Sequence, residues 1–270
     1  MKSFYLYIIL IGLVSCNSVN QEGLLYSGTL SFSESTPMVN DYGKTILERF
    51  DVPLNYNRIS TPPNTFADYL RTLSLKPEDA VTYNEGKVKP QEDVYVSIVD
   101  LPNSPKNLQT STDAVIRLMS EYYYKSQAYD HIVFHDNKEK YSYVEYVSGN
   151  YSRSKFDEYL DFVMEKVSTP SFCADLKPIK LNDIKIGDVF VQNTQPTGHA
   201  VIVVDLAVNS DGEKIFLLAQ GFQPAKDIQI LSNPNSAEYS PWYQLKEGEL
   251  LTPEWRFMTS DLMRFKFLQE

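Results

Sequence analysis

The residues best placed to do chemistry lie in the C-terminal third of the chain. A first pair, Gly187-Asp188, precedes a predicted strand, and after a polar loop a second pair, Gly198-His199, opens the apolar run AVIVV. A near-continuous apolar run predicts a strand that is covered on both faces. A histidine at the start of such a strand is held rigidly, so it is able to activate a nucleophile. Its alternative role is a structural hydrogen bond.

This arrangement resembles the histidine half of papain-like hydrolases, including cell-wall amidases of the NlpC/P60 and CHAP types. In that architecture the nucleophile is a Cys at the N-terminus of a helix, where the helix dipole favours the thiolate. A His on a neighbouring strand activates the thiol, and a third polar residue orients the imidazole. The resemblance implies an α+β, papain-like fold in which N-terminal helices pack on an antiparallel C-terminal β-sheet.

A longer resemblance covers residues 49–257, which is about three quarters of the chain. Over this range the sequence is similar to the exported bacterial family catalogued as domain of unknown function 4846. The matching segments include Leu108-Gln109, Asp113-Ala114-Val115-Ile116-Arg117, Gly187-Asp188, Gly198-His199, Phe216-Leu217-Leu218-Ala219-Gln220-Gly221, Pro241-Trp242-Tyr243 and Thr252-Pro253-Glu254-Trp255. The resemblance implies a family more than an activity.

One position departs from the family pattern. The family carries a Cys at the helix start after Leu-Gln, two residues before the Asp, and this position is Ser111 here. A hydroxyl has no usable anion at neutral pH, so it depends on its base far more than a thiol does. The resemblance therefore implies a set of Ser111, His199 and a polar partner. The alternative for Ser111, or for Thr110, is a helix N-cap, which both residue types favour.

The polar partner is expected on the strand after the hairpin that contains Asp211-Gly212. A two-residue loop pairs Val203 with Gln220, and period-two alternation then places Gln220 on the face of His199 but several residues along. A bulge or a longer loop would bring Gln223 nearer. Gln220 is the predicted third member of the site.

Other reactive residues have weaker claims. Cys173 is followed closely by Pro178, which leaves no room for a long helix and argues against a displaced nucleophile. His131 and His135 would lie about 13 Å apart on a strand, too far to share one ion. The sequence therefore predicts neither a metal site nor a cofactor.

Aromatic residues are abundant, with 19 Tyr and 14 Phe against 11 Gly, which predicts a dense fold. Near the C-terminus, Trp242, Tyr243 and Trp255 are able to stack on sugars. The role we favour for them is to anchor a Pro-rich crossover in the core.

The elements that must position these residues follow from hydrophobic spacing. Helical spacing predicts helices near residues 64–73, 110–125 and 154–167. Apolar or alternating runs predict strands over residues 94–99, 131–135, 141–147, 188–191, 199–205 and 215–220. No internal repeat interrupts this order, and a single globular domain is predicted over residues 48–270.

The first residues predict export and lipidation. A basic start and an apolar run over residues 4–14 predict a signal peptide, since the run is too short to span a bilayer. The alternative is an uncleaved N-terminal anchor with an incidental Cys. The run ends at Ser15-Cys16, which resembles the bacterial lipobox. We expect a signal peptide over residues 1–15, a lipid on Cys16 and a polar tether over residues 16–47. With Cys16 lipidated, no intrachain disulfide can form.

Charge and composition limit the partners. Hydrophobic residues make up 43% of the 270, which excludes wholesale disorder. The 25 Lys and Arg against 35 Asp and Glu give a net charge of −10, and no basic run is present that would neutralise phosphates, so nucleic acid is not expected. The expected partners are a membrane, through the lipid, and peptidoglycan or another envelope peptide or glycan.

Two functional hypotheses follow for a lipoprotein of the bacterial cell envelope facing an extracytoplasmic space, at the periplasm or outer membrane. In the first, the domain is of the cell-wall amidase or peptidase type and has lost its Cys nucleophile. In the second, it is a non-catalytic binding or structural lipoprotein. The sequence leaves open whether the protein is an enzyme.

Overall fold

The apolar runs of the C-terminal half form the centre of an antiparallel sheet in the computed structural model. The structure describes residues 38–77, 82–83, 86–88, 93–136, 138–193 and 198–266. The predicted signal peptide, the lipidation site Cys16 and the tether up to residue 37 lie outside the described residues. No helix in the described ranges combines the length and the apolar character needed to span a bilayer.

The elements are named in chain order. The helices are α1 (Ile46–Arg49), α2 (Phe66–Arg71), α3 (Ser111–Lys125), α4 (Tyr143–Val147), α5 (Arg153–Lys166) and α6 (Thr169–Ala174). The strands are β1 (Tyr56–Arg58), β2 (Tyr95–Ile98), β3 (Val133–His135), β4 (Lys140–Ser142), β5 (Leu176–Pro178), β6 (Val189–Gln192), β7 (His199–Asn209), β8 (Lys214–Gln220), β9 (Gln229–Leu231), β10 (Tyr243–Gln244), β11 (Glu249–Leu251), β12 (Arg256–Met258) and β13 (Leu262–Phe265).

Nine of the described strands form one sheet, in the order β2-β9-β8-β7-β6-β13-β5, with β1 beside β7 and β10 beside β8. All of the strand pairs in this sheet are antiparallel. Helices α2 and α3 pack against β7. The predicted α+β class with a large antiparallel sheet is therefore confirmed.

Strand β7 lies in the middle of the core. Its first nine residues are buried, as expected for a strand that is covered on both faces. Asp205 is fully buried on it and accepts hydrogen bonds from Arg58 Nε and Arg71 Nε at 2.7 Å each. A buried carboxylate needs such partners, and these two tie β1 and α2 to the strand.

The hairpin between β7 and β8 has a longer loop and a bulge, the second of the two alternatives that the sequence left open. Val208 pairs with Lys214, and Asn209 donates its N–H to the Glu213 carbonyl at 3.0 Å, so residues 210–212 form a three-residue turn. Gly212 takes the left-handed conformation, with φ of 82°, that such a turn requires near its end. Further along, the register shifts by one residue between Val203 and Asp205. The longer loop and this bulge each move β8 by one position relative to β7.

The strand predicted over residues 141–147 is wrong. Strand β4 ends at Ser142, whose hydroxyl accepts a hydrogen bond from Glu145 N at 3.5 Å and caps helix α4. Tyr143 is fully buried, with its ring 5.1 Å from the ring of Tyr159. N-capping and packing therefore outweigh the strand propensity of an alternating aromatic sequence. Similarly, the strand predicted from residue 131 begins only at Val133, after a 3₁₀ turn.

The predicted boundary near residue 48 is also wrong. Val39 forms a β-bridge with Phe50, Thr45 forms one with Ser74, and Ile46 is fully buried. Residues 38–47 therefore belong to the folded domain rather than to a tether, because backbone pairing and the burial of Ile46 hold them in place.

Candidate functional site

A cavity of about 470 Å³ opens where the N-terminus of α3 meets the start of β7. Ser111 and His199 both line it. Thr169 of α6 and two aromatic residues, Phe222 and Trp255, complete much of the wall. The structure thus brings two of the predicted site residues, 88 positions apart in the sequence, to one cavity.

The N-cap residue of helix α3 is Thr110, so Ser111 does not cap the helix. The N–H and the hydroxyl of Thr110 both donate to Asp113 Oδ2, at 3.1 and 2.7 Å. Ser111 is the first helical residue, and within the described part of the chain its hydroxyl has no hydrogen-bond partner. The N-cap alternative therefore applies to Thr110 and not to Ser111.

A close approach between β8 and α3 brings the two halves of the site together. Gly221 follows β8, and a Cβ placed on it would lie 2.6 Å from the Thr110 carbonyl oxygen and 2.9 Å from Ala114 Cβ. Such distances are shorter than van der Waals contact, so a side chain at this position would push the strand end and the helix apart. Glycine at 221 therefore sets the distance between the helix start and the sheet.

His199 is the first residue of β7 and is only 3% exposed. Its Nε2 lies 3.1 Å from Gln220 Oε1. Ile202 pairs with Ala219, so in the same register Gln220 stands opposite Val201, diagonal to His199 and on the same face of the sheet. The structure therefore places the predicted partner Gln220 against His199. The expectation that a bulge or a longer loop would favour Gln223 is wrong, because both are present and Gln223 lines the cavity instead.

Burial controls the protonation of His199. Desolvation is the main cause that lowers the pKa of the imidazole to about 4, and the charge of Lys226 acts in the same direction, against the raising effects of Gln220 and Glu254. The imidazole is therefore neutral at physiological pH. A neutral ring can accept a proton, but a pKa this low makes it a weak base.

Aromatic rings surround His199. Their centroids lie 5.0 Å (Phe222), 4.8 Å (Trp255) and 5.7 Å (Phe257) from that of the imidazole. Trp255 also donates its indole N–H to Gln192 Oε1 at 3.0 Å and lines the cavity. Of the three aromatic residues near the C-terminus that the sequence singled out, Trp255 alone lines this cavity.

The other two are core residues. Trp242 is fully buried and Tyr243 is 1% exposed. The indole N–H of Trp242 donates to the Asp51 carbonyl at 2.8 Å. The predicted anchoring role is therefore found at these two positions.

Asp113 is the only Asp, Glu, Lys or Arg among the described residues lining the cavity. It is 6% exposed, and burial raises its carboxyl pKa to about 7 in spite of the hydrogen bonds from Thr110. Hydroxyl and amide groups supply most of the other polar atoms of the wall. The cavity therefore offers no fixed positive charge to an anionic ligand.

The other candidate residues lie elsewhere. Cys173 is a half-buried residue of α6 outside this cavity, and burial raises its thiol pKa, which disfavours the reactive thiolate. His131 Nδ1 lies 3.1 Å from an Asp130 oxygen, and His135 Nδ1 lies 3.1 Å from an oxygen of Asp175. Among the residues that the structure describes, no group of three or more His, Cys, Asp or Glu is arranged to hold a metal ion.

Sequence reasoning missed the polar residues behind Gln220. Gln220 Nε2 donates to Glu254 Oε2 at 2.7 Å and to Gln229 Oε1 at 3.4 Å, and Lys226 Nζ lies 3.5 Å from both oxygens of Glu254. The sequence carried one signal for this cluster, the place of Glu254 in the family segment Thr252-Pro253-Glu254-Trp255.

The chain matches one known protein family. The model described as Domain of unknown function (4846) matches residues 46–151 and 137–264, which together span more than half of the chain. Comparisons with curated proteins and with solved structures find no match. The chain therefore belongs to the family defined by domain of unknown function 4846.

Proposed function

We propose that the domain is a papain-like module of cell-wall amidase or peptidase ancestry, in which Ser111 occupies the nucleophile position and the cleft binds its ligand without hydrolysing it. The observation that carries this proposal is the shared cavity of Ser111 and His199, with Gln220 bonded to the imidazole behind it. A helix N-terminus, a strand-borne His and a polar orienting residue are the three parts of a papain-like site.

Two features favour binding over catalysis. Ser111 makes no hydrogen bond to His199 or to another described residue, so no base among them is placed to accept the proton of its hydroxyl. The low pKa of His199 weakens the one base in position. A hydroxyl without an effective base is a poor nucleophile, and the loss of the thiol therefore removes the chemistry but keeps the cleft.

The walls of the cavity favour an uncharged or cationic part of a peptide or glycan. Thr110, Thr112 and Thr169 offer hydroxyl groups, and Trp255 offers an aromatic face for an apolar or sugar surface. The only carboxyl or basic side chain among the described wall residues, His199 aside, is Asp113, whose pKa of about 7 leaves it partly neutral. An envelope peptide or glycan satisfies these requirements, whereas a polyanion does not.

The N-terminal sequence supplies the location in this proposal. The signal-like run and Ser15-Cys16 support cleavage before Cys16 and acylation of its thiol. Two or more acyl chains on one residue hold a protein stably at a membrane. The domain would then face an extracytoplasmic space of the bacterial envelope, close to its ligand.

Restoring the thiol tests the proposed site. In a Cys173→Ala background, the Ser111→Cys thiol should react with iodoacetamide at pH 7 at least about tenfold faster than a Leu54→Cys control. A helix N-terminus favours the thiolate, and a thiol is far more acidic than a hydroxyl, so that a thiolate beside His199 would in turn favour the protonated imidazole. Leu54 is 85% exposed, so its cysteine reports ordinary reactivity. Adding His199→Ala, or the more conservative His199→Gln, should remove most of the gain.

Two results would contradict this assignment. Equal alkylation rates with and without His199, in variants whose circular dichroism shows a retained fold, would mean that the imidazole does not address position 111. A Ser111→Cys rate no greater than that of Leu54→Cys would mean that this helix start is not a nucleophile position.

A further inference from the structure

We propose that Glu254, held by Lys226, is a positioning residue: it fixes the amide orientation of Gln220 and thereby places the proton of His199 on Nε2 and the lone pair on Nδ1. The use of that lone pair toward position 111 rests on the proposed function. The tautomer itself does not, because it follows from contacts within the cluster.

The contact with Glu254 fixes the direction of the Gln220 amide. A carboxylate has acceptors only, whereas an amide presents a donor at one end and an acceptor at the other. The Gln220 atom that lies 2.7 Å from Glu254 Oε2 must therefore be the NH₂ group. The carbonyl oxygen then faces His199 Nε2 at 3.1 Å, and this imidazole nitrogen must be the donor.

Gln229 does not set the direction of the Gln220 amide. Its Oε1 lies 3.4 Å from Gln220 Nε2, but an amide can turn over and offer a donor in the same place. The Gln229 Nε2 atom is buried and has no hydrogen-bond partner within the described ranges, so nothing there holds that amide in one orientation. Glu254 is the contact that allows one direction only.

Lys226 is the ion-pair partner of Glu254. Lys226 is 1% exposed, and its Nζ lies 3.5 Å from both carboxylate oxygens and 4.7 Å from the centroid of the Phe222 ring. A cation at this distance attracts both carboxylate oxygens and limits the movement of the side chain. Lys226 therefore holds the Glu254 carboxylate where it contacts Gln220.

The consequence lies at the ring of His199. With Gln220 turned over, two acceptors, its carbonyl and the Glu254 carboxylate, would face each other inside the protein, which is costly because neither would be satisfied. The unprotonated nitrogen of a neutral His is the one that accepts a proton. The ion pair beside Gln220 thus determines, through the Gln220 amide, which ring nitrogen is basic.

Nitrogen-15 NMR of the imidazole rings tests this directly. The chain contains three His, so the His199 signals are identified by their loss in His199→Gln. In the wild-type protein at pH 7 the His199 signals should be those of one tautomer with Nε2 protonated. In Glu254→Met/Lys226→Met, which removes both charges together, the tautomer with Nδ1 protonated should rise at least about fivefold.

Two further variants keep the test decisive. Glu254→Gln retains the side-chain size and removes the acceptor-only constraint, so it should shift the tautomers in the same direction even if the double Met variant does not fold. Lys155→Ala/Glu158→Ala removes a surface ion pair of α5 and should leave the His199 signals unchanged. An unchanged single tautomer in both Glu254 variants, or a wild-type His199 protonated on Nδ1, would overturn the proposal.

The outcome separates this proposal from the proposed function. If Ser111→Cys shows no dependence on His199 but the tautomer still follows Glu254, the positioning cluster stands and the nucleophile assignment fails. If the reactivity of the Ser111→Cys thiol depends on His199 but the tautomer does not change in the Glu254 variants, the nucleophile assignment stands and the positioning role of Glu254 fails.

Discussion

The substitution Asp113→Asn should raise the unfolding free energy at neutral and alkaline pH, where the buried carboxylate of Asp113 destabilises the folded state. Asp113 is 6% exposed, and burial raises its carboxyl pKa from 3.8 to about 7. A carboxyl whose pKa is higher in the folded than in the unfolded protein contributes stability below the unfolded pKa. That contribution is lost as the pH rises through the folded pKa.

The size of the effect follows from the shift. Three pKa units at 1.36 kcal/mol each correspond to about 4 kcal/mol of unfolding free energy, lost between roughly pH 4 and pH 8. Asn at position 113 carries no charge and still offers an oxygen to the Thr110 N–H, so the helix start is retained. The unfolding free energy of the variant minus that of wild type should therefore be about 4 kcal/mol larger at pH 8 than at pH 4.

Urea denaturation followed by circular dichroism at pH 4, 6 and 8 measures this difference. The wild-type curve alone does not decide it, because His199 acts in the opposite sense. Burial lowers the pKa of His199 from 6.5 to about 4, so its contribution is present above pH 6.5 and is lost as the pH falls toward 4, by about 3 kcal/mol. Subtracting wild type from Asp113→Asn cancels the His199 term. An equal difference at pH 4 and pH 8 would refute the reasoning.

Two further predictions concern the anchor and the packing of the site. Cys16→Ala should abolish incorporation of labelled fatty acid and release the protein from membranes, and unchanged labelling would place the lipid elsewhere. Gly221→Ala should lower the unfolding free energy by about 1–3 kcal/mol, because its Cβ would lie 2.6 Å from the Thr110 carbonyl oxygen. The control is Gly212→Ala, whose Cβ meets no atom within 4 Å, so that its cost comes only from the positive φ. A smaller loss for Gly221→Ala than for Gly212→Ala, measured by urea denaturation, would contradict this account.

The local elements of this protein were largely predictable because their signals are local. Helix α3 and strand β7 were expected from apolar spacing within a window of about a dozen residues, and both are present. The segment over residues 141–147 was misassigned, because its alternation is typical of a strand while the cap at Ser142 and the buried ring of Tyr143 favour a helix. Packing partners that lie elsewhere in the sequence decided that case.

Candidate site residues were found by a different route. Ser111 and His199 stood out through motif and resemblance, and the fold supplied their common cavity. The cap assignment required the structure, because Thr110 and Ser111 favour the N-cap position alike and only backbone geometry selects Thr110.

The contact between His199 and Gln220 depends on the register of β7 and β8, which the sequence alone did not fix. A two-residue loop would place Gln220 opposite Val203, and the structure places it opposite Val201, two positions nearer to His199. The longer loop and the bulge each shift the register by one, and because strand alternation has a period of two, the face is preserved while the distance shortens.

The sequence by itself therefore determined the class of fold and the main elements, and it singled out Ser111 and His199 as candidate site residues. Only the tertiary structure decided that Glu254 and Lys226 stand behind Gln220, since they come from loops with no periodic pattern. Periodicity predicts which face of a strand or helix a residue occupies. It carries no information about side chains that meet from aperiodic segments, and these contacts are settled by how the whole chain packs.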